Sequence, residues 1–71
     1  MFVLYFLNKS KQCRYFCSFG FVSVESPWYD CSEIKSAQKY NTRQEAEAMR
    51  DSLNEIIKRN KWYGKYRLAK C

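Results

Sequence analysis

Thr42 to Asn60 is the stretch that most limits what this chain can fold into. Thr42-Arg43-Gln44-Glu45 has the form of a capping box: the Thr hydroxyl accepts from the Glu45 N–H, and the Glu45 carboxylate reaches back to the Thr42 N–H. Apolar residues then recur at Ala46, Met49, Leu53, Ile56 and Ile57. At 100° per residue they fall within an arc of about 100°, one core-facing stripe. Glu45 and Glu47 lie in the first half and Lys58, Arg59 and Lys61 at the end, as the helix dipole prefers. Asn60 is a natural stop. The pattern predicts one amphipathic helix from about Arg43 to about Arg59, which needs another layer to cover its stripe.

The remaining periodicities supply that layer as strands. Phe2-Val3-Leu4-Tyr5-Phe6-Leu7 is aromatic and branched, and it ends at the polar turn Asn8-Lys9-Ser10-Lys11. Cys13, Tyr15 and Cys17 then alternate with Arg14 and Phe16, as in a half-buried second strand. Phe19 to Val24 stays extended, with Gly20 marking a bulge or a turn, so residues 12–24 form one bent strand or two short ones. Pro27 has no N–H to give a ladder, so Glu25-Ser26-Pro27 reads as a break and Trp28 to Ser36 as a loop with a short turn of helix. Ala37-Gln38-Lys39-Tyr40 reads as a brief edge strand. After the helix, Trp62, Tyr66 and Leu68 alternate with Lys65 and Arg67, a closing strand with Gly64 weakening its start. The expected fold is α+β: a small antiparallel sheet of three to four strands with one helix on one face, in the order β-β-(β)-α-β.

A chain of 71 residues makes a single domain, residues 1–71. Domains of this size are marginal, burying only about 60% of their unfolded surface. Five Phe, six Tyr and two Trp offset that handicap, because large rings carry much apolar area each. Cys13, Cys17, Cys31 and Cys71 raise the question of disulfides. Met1 to Leu7 has no basic segment before it, a short apolar run and no small-residue cleavage site after it. It also falls far below the ~20 residues a membrane helix needs. The expectation is therefore a cytoplasmic protein without a membrane segment, its thiols reduced and packed as small hydrophobes. Cys13-x3-Cys17 is looser than a zinc knuckle and no His is present, so neither a metal nor another cofactor is expected.

Catalysis is disfavoured by the same inventory. There is no His to act as general base, and Gly20 and Gly64 alone cannot form a phosphate-cradling loop. Glu47, Asp51 and Glu55, at helical spacing, read as a solvated stripe. The chain is expected to bind, not to catalyse. Its charge suggests where. Residues 1–57 hold seven bases and seven acids, whereas residues 58–71 hold Lys58, Arg59, Lys61, Lys65, Arg67 and Lys70 and no acid. Trp62, Tyr63 and Tyr66 interleave with these bases, a combination able to contact phosphates and stack on bases. Lys58, Arg59, Lys61, Trp62, Tyr63, Lys65, Tyr66 and Arg67 are accordingly the candidate surface for an acidic macromolecular partner, with a solvated strand face as the plain alternative.

The first strand is the other candidate. Phe2, Leu4 and Phe6 make one apolar face and Val3, Tyr5 and Leu7 the other, yet one helix covers only one face of a sheet. Either the Trp28 segment folds over the second face, or Val3, Tyr5 and Leu7 form a patch for a partner or a homodimer.

The series Trp28, Ala37, Tyr40-Asn41-Thr42-Arg43-Gln44-Glu45-Ala46 and Leu53 resembles a pattern in small bacteriophage and prophage proteins. In these, strands lead through a Trp-containing loop to a Thr- or Ser-capped helix beginning Glu-Ala and a closing strand. The resemblance covers roughly residues 28–68 and rests on structural positions; the cysteines and the aromatic N-terminal half depart from it. It implies a mobile-element context, in which proteins of this size bind and block a host complex, as anti-CRISPR proteins do, or bind nucleic acid. Two functions follow as expectations. The first is a protein-binding inhibitor or modulator of a host complex, using an exposed aromatic patch or the acidic helix stripe. The alternative is a nucleic-acid-binding module using the basic, aromatic C-terminal strand.

Overall fold

The computed structural model describes residues 1–23 and 26–71. Its elements are β1 (Phe2–Leu7), β2 (Cys13–Ser23), β3 (Ser26–Cys31), a 3-10 turn at Ile34–Ser36, α1 (Arg43–Arg59) and β4 (Arg67–Lys70). The strands form one sheet in the order β3-β2-β1-β4, with every neighbouring pair antiparallel. The expected α+β architecture is what the chain adopts, with β1 inside the sheet.

Local chemistry explains the connections. Asn8 organises the β1–β2 turn: its side-chain oxygen accepts from the Ser10 and Gln12 amides, both at 2.9 Å. Lys11 closes this turn in the left-handed region, with φ 63°. At the start of α1 the Glu45 N–H donates to the Thr42 hydroxyl at 3.2 Å. The Glu45 carboxylate accepts from that same hydroxyl at 3.0 Å, in place of the Thr42 N–H that the capping box predicts. The helix ends in a Schellman motif. Lys61 takes φ 56°, its N–H donates to the Lys58 carbonyl at 3.2 Å, and the Trp62 N–H donates to the Ile57 carbonyl at 3.0 Å. The left-handed residue reverses the backbone while the two bonds satisfy the Lys58 and Ile57 carbonyls, so the chain turns at once toward the sheet.

Three expectations need correction, and one open reading is decided. Residues 13–23 form the single bent strand of the two alternatives, with register irregularities between Phe16 and Ser18 and between Phe19 and Ser23. Val24 and Glu25 lie outside the described residues. The segment expected to be a break and a loop contains β3, with Trp28 opposite Phe19 and Cys31 opposite Tyr15. Pro27 is accommodated because β3 is an edge strand. The period of two in Trp28-Tyr29-Asp30-Cys31 is hidden because an inward position is charged: Asp30 Oδ1 accepts from Arg14 Nε at 3.0 Å and also from Arg14 Nη2. Ala37–Tyr40 is no edge strand. It makes a single antiparallel bridge, Tyr40 to Phe2, and the Gln38 N–H donates to the Phe16 carbonyl at 2.9 Å. Finally, the closing strand is only Arg67–Lys70, so Trp62 precedes it.

The core lies between α1 and the sheet face that carries Leu4 and Phe16. Leu4, Phe16, Ala46, Leu53, Ile57 and Tyr66 are its buried members, and Phe2, Phe6, Trp28, Met49, Trp62 and Leu68 pack around them. Tyr66 is the hub of the rings: it makes edge contacts with Phe6, Phe16 and Trp28 at centroid separations of 5.0, 6.2 and 6.1 Å. Each such pair is worth about 0.5–1.5 kcal/mol beyond the area it buries. Asn54 ties the helix to the start of β4: its amide oxygen accepts from the Tyr66 N–H at 2.6 Å, and its NH2 donates to the Tyr66 carbonyl at 3.1 Å.

Candidate functional site

Arg43 and Arg50 stand seven residues apart on α1, within ~20° of each other around the axis. Lys65 and Arg67 flank Tyr66 on the other side of the Asn54 clamp. These four cations line a groove of about 420 Å³ between helix and sheet, with Asp51 and Asn54 also in its wall. The helix arginines are partly neutralised. Arg50 meets Asp51 at 3.1 Å and Glu47 at 3.8 Å, and Arg43 meets Glu47 at 3.9 Å. Among the described residues, no carboxylate lies within ion-pairing distance of Lys65 or Arg67. The groove therefore keeps a net positive character, and among the described residues its cations without a carboxylate partner are Lys65 and Arg67.

The sequence-predicted basic patch is divided by this arrangement. Lys65 and Arg67 border the groove, Arg67 from a strand position whose register with Tyr5 sets it on the sheet face away from α1. Lys58, Arg59 and Lys61 sit at the far end of α1, about 12 Å further along the helix from Arg50 at 1.5 Å per residue. Arg59 is engaged with Glu55 at 3.3 Å. Tyr66, expected to stack on a partner, is only 2% exposed and belongs to the core. Trp62 is half-buried, and Tyr63 is the one ring of the three held out in solvent, at 59% exposure. Arg43 and Arg50 were missed as site residues because their helix face becomes a groove wall only when β4 docks beside it. The acidic stripe is not a free surface either, since Glu47, Asp51 and Glu55 all pair with arginines of the same helix.

The opposite sheet face is only partly open. Val3 is fully buried, so the expected patch of Val3, Tyr5 and Leu7 loses its first member. Tyr5 is half-buried and Leu7 exposed. Strand register sets Cys31, Tyr15, Tyr5 and Arg67 in one row across all four strands. Tyr29 lies over Gly20 on this sheet, where any Cβ would collide with its ring; the glycine is needed for that close approach.

The cysteines are not core residues. Cys13 and Cys71 are exposed, and Cys17 and Cys31 are half-buried. Cys17 Sγ donates to the Ser36 carbonyl at 3.2 Å and Cys31 Sγ approaches the Glu33 carbonyl at 3.4 Å. Burial, with help from a hydrogen bond to the Cys31 thiol, pushes the Cys17 thiol up to about 11. That keeps it protonated and weakly nucleophilic at neutral pH. Among the described residues, no group of three or more Cys, Asp and Glu side chains is placed to hold a metal ion, and no helix is long and apolar enough to cross a membrane.

Compared with family models, with curated proteins and with solved structures, the chain has no match.

Proposed function

We propose that this chain is a non-catalytic binding domain for a phosphate-bearing macromolecule, with nucleic acid as the favoured class. The observation that carries the proposal is the convergence of Arg43, Arg50, Lys65 and Arg67 on one groove from two separate elements. Such a groove follows a phosphate backbone, each contact releasing condensed counterions. Tyr63, exposed beside Lys65, supplies a ring on which a base can stack.

Binding to single-stranded RNA, single-stranded DNA and duplex DNA, measured by fluorescence anisotropy across salt concentrations, tests it. Four phosphate contacts give a slope of log K against log salt of about −2.8 on single strands and about −3.6 on duplex DNA. Lys65→Glu with Arg67→Glu abolishes binding, and so does Arg43→Glu, which the C-terminal charge cluster alone would leave without effect. An absence of binding at low salt refutes the proposal, as does binding that survives both reversals.

A second proposal is a protein-binding modulator of a host complex, in keeping with the phage resemblance. It is favoured by Phe19, Tyr29 and Ile34, exposed at 53%, 48% and 43% on β2, on β3 and just after β3, beside the free sheet edge. In this case tagged protein recovers one stoichiometric partner from host lysate, and Tyr29→Ser with Ile34→Ser releases it. Light scattering at micromolar concentration decides whether that partner is a second copy of the chain.

A further inference from the structure

A second cavity, of about 190 Å³, lies at the other end of α1 and is built differently from the basic groove. Its walls are Phe6 of β1, Trp28 of β3, Trp62 and Tyr63 from the segment after α1, and Tyr66, with Asp30 among them. The rings meet near right angles. Trp28 stands at 76° to Trp62 and at 66° to Tyr66, and Phe6 at 64° to Tyr66. Two parallel rings make a slot for a flat base, whereas walls at right angles enclose a compact, rounded group. The π faces of such walls, with a carboxylate beside them, select positive charge.

Three further observations point the same way. Arg14 occupies Asp30 Oδ1 alone, and among the described residues Oδ2 accepts no hydrogen bond. The Tyr66 hydroxyl is buried and has no hydrogen-bond partner among the described residues. Burial first, and then the Asp30 charge, raise its pKa; the Trp28 indole offsets part of this without reaching hydrogen-bond geometry. Two oxygen atoms without a protein donor among the described residues, one partly exposed and one buried, thus stand in the wall of an aromatic cavity, an electronegative lining that favours a cation without requiring an N–H from it. The Tyr63 ring, moreover, already attracts a cation, the Lys9 ammonium at 5.8 Å from its centroid.

We propose that this cavity is an aromatic cage for a methylated ammonium group. Trp62 is held in it by the Schellman turn, which fixes its N–H on the Ile57 carbonyl, and Ile57 closes the floor. The cage shares Tyr66 with the basic groove, and Tyr63 is also the ring offered there for stacking, but none of the groove's four cations lines the cage, so charge reversal at the groove tests the two apart. The ammonium reaches the cage either on a free small molecule or on a modified side chain, and the chemistry recognised is the same.

The test is an NMR titration that follows the Trp28 and Trp62 indole N–H resonances. The probes are choline chloride and its uncharged isostere 3,3-dimethylbutan-1-ol, at constant ionic strength. Choline is expected to shift both indoles saturably and to bind about five- to tenfold more tightly than the alcohol. Tyr63→Ala, at an exposed ring that leaves the core intact, weakens choline without weakening the alcohol to the same degree. Asp30→Asn does likewise if its Arg14 contact survives. Equal affinity for the two probes overturns the proposal, because the cavity is then merely apolar. Absence of indole shifts up to about 100 mM choline overturns it as well. A trimethyllysine peptide that binds more tightly than choline, with its unmethylated form inert, identifies a modified protein as the source. Equal affinity for peptide and choline identifies a free head group. Lys65→Glu with Arg67→Glu leaves the choline titration unchanged, so failure of the groove and failure of the cage are distinguishable.

Discussion

Asn54→Ala removes both hydrogen bonds that fasten α1 to the backbone of Tyr66, at 2.6 and 3.1 Å. Each is worth about 1 kcal/mol net, and the Tyr66 N–H it exposes lies beside a ring that is itself buried, so desolvation adds to the loss. Alanine recovers about 0.5 kcal/mol through its better helix propensity. The expected cost is therefore about 1.5–2.5 kcal/mol. For a domain of this size that is a fall in Tm of roughly 10 °C or more. Urea denaturation followed by circular dichroism measures it as a lower midpoint at constant m-value. Asn54→Asp is the companion variant. It keeps an acceptor for the Tyr66 N–H but sets a carboxylate oxygen against the Tyr66 carbonyl, so at neutral pH it loses at least one of the two bonds. Protonation restores a donor, and its stability deficit relative to wild type narrows as pH falls through the carboxyl range. A loss below about 0.5 kcal/mol for Asn54→Ala, within the scatter of surface substitutions, would refute the clamp as a determinant of how helix and strand are spaced.

Three further outcomes follow from single groups. Tyr66→Phe deletes a buried hydroxyl with no partner and is expected to raise stability by about 1 kcal/mol, or leave it unchanged, in thermal melts; a clear loss would mean the hydroxyl is satisfied. Lys61→Gly relieves a left-handed residue in the Schellman turn and is expected to stabilise by about 0.5–1 kcal/mol, read as a higher urea midpoint. The Cys17 thiol, raised from 9.0 to about 11 in the folded chain, loses its proton first in the unfolded chain. Its contribution is complete below about pH 9 and lost as pH rises toward 11, so the midpoint declines over that window and less steeply in Cys17→Ala. A midpoint with no such decline would show that the thiol is not desolvated.

Much of this fold was written locally. The helix bounds, its cap and its stripe depend on contacts within four residues, so Thr42, Glu45 and the series Ala46, Leu53 and Ile57 carried enough information to place α1. β1 and its turn were legible for the same reason, Asn8 bonding only to its near neighbours. β3 was not legible. Its inward Asp30 stands opposite Phe16 and is tolerated because Arg14, sixteen residues earlier, reaches it diagonally on the same face, and no local pattern announces a partner that distant.

The site divides along the same line. Composition and charge order alone determined that this chain is basic at its C-terminal end, lacks His and is rich in rings. Only the tertiary structure decided which charges act together. By docking β4 along α1 it joined Lys65 and Arg67 to Arg43 and Arg50, and it left Lys58, Arg59 and Lys61 at the far end of the helix. It also turned Tyr66 from a candidate contact residue into the centre of the core, and gathered Trp28, Trp62 and Asp30 around one cavity. The physical reason is that hydrophobic periodicity specifies which face of an element turns inward, whereas a binding surface is set by the lateral placement of elements. Here that placement depends on the Asn54 clamp, the Schellman turn at Lys61 and the strand register.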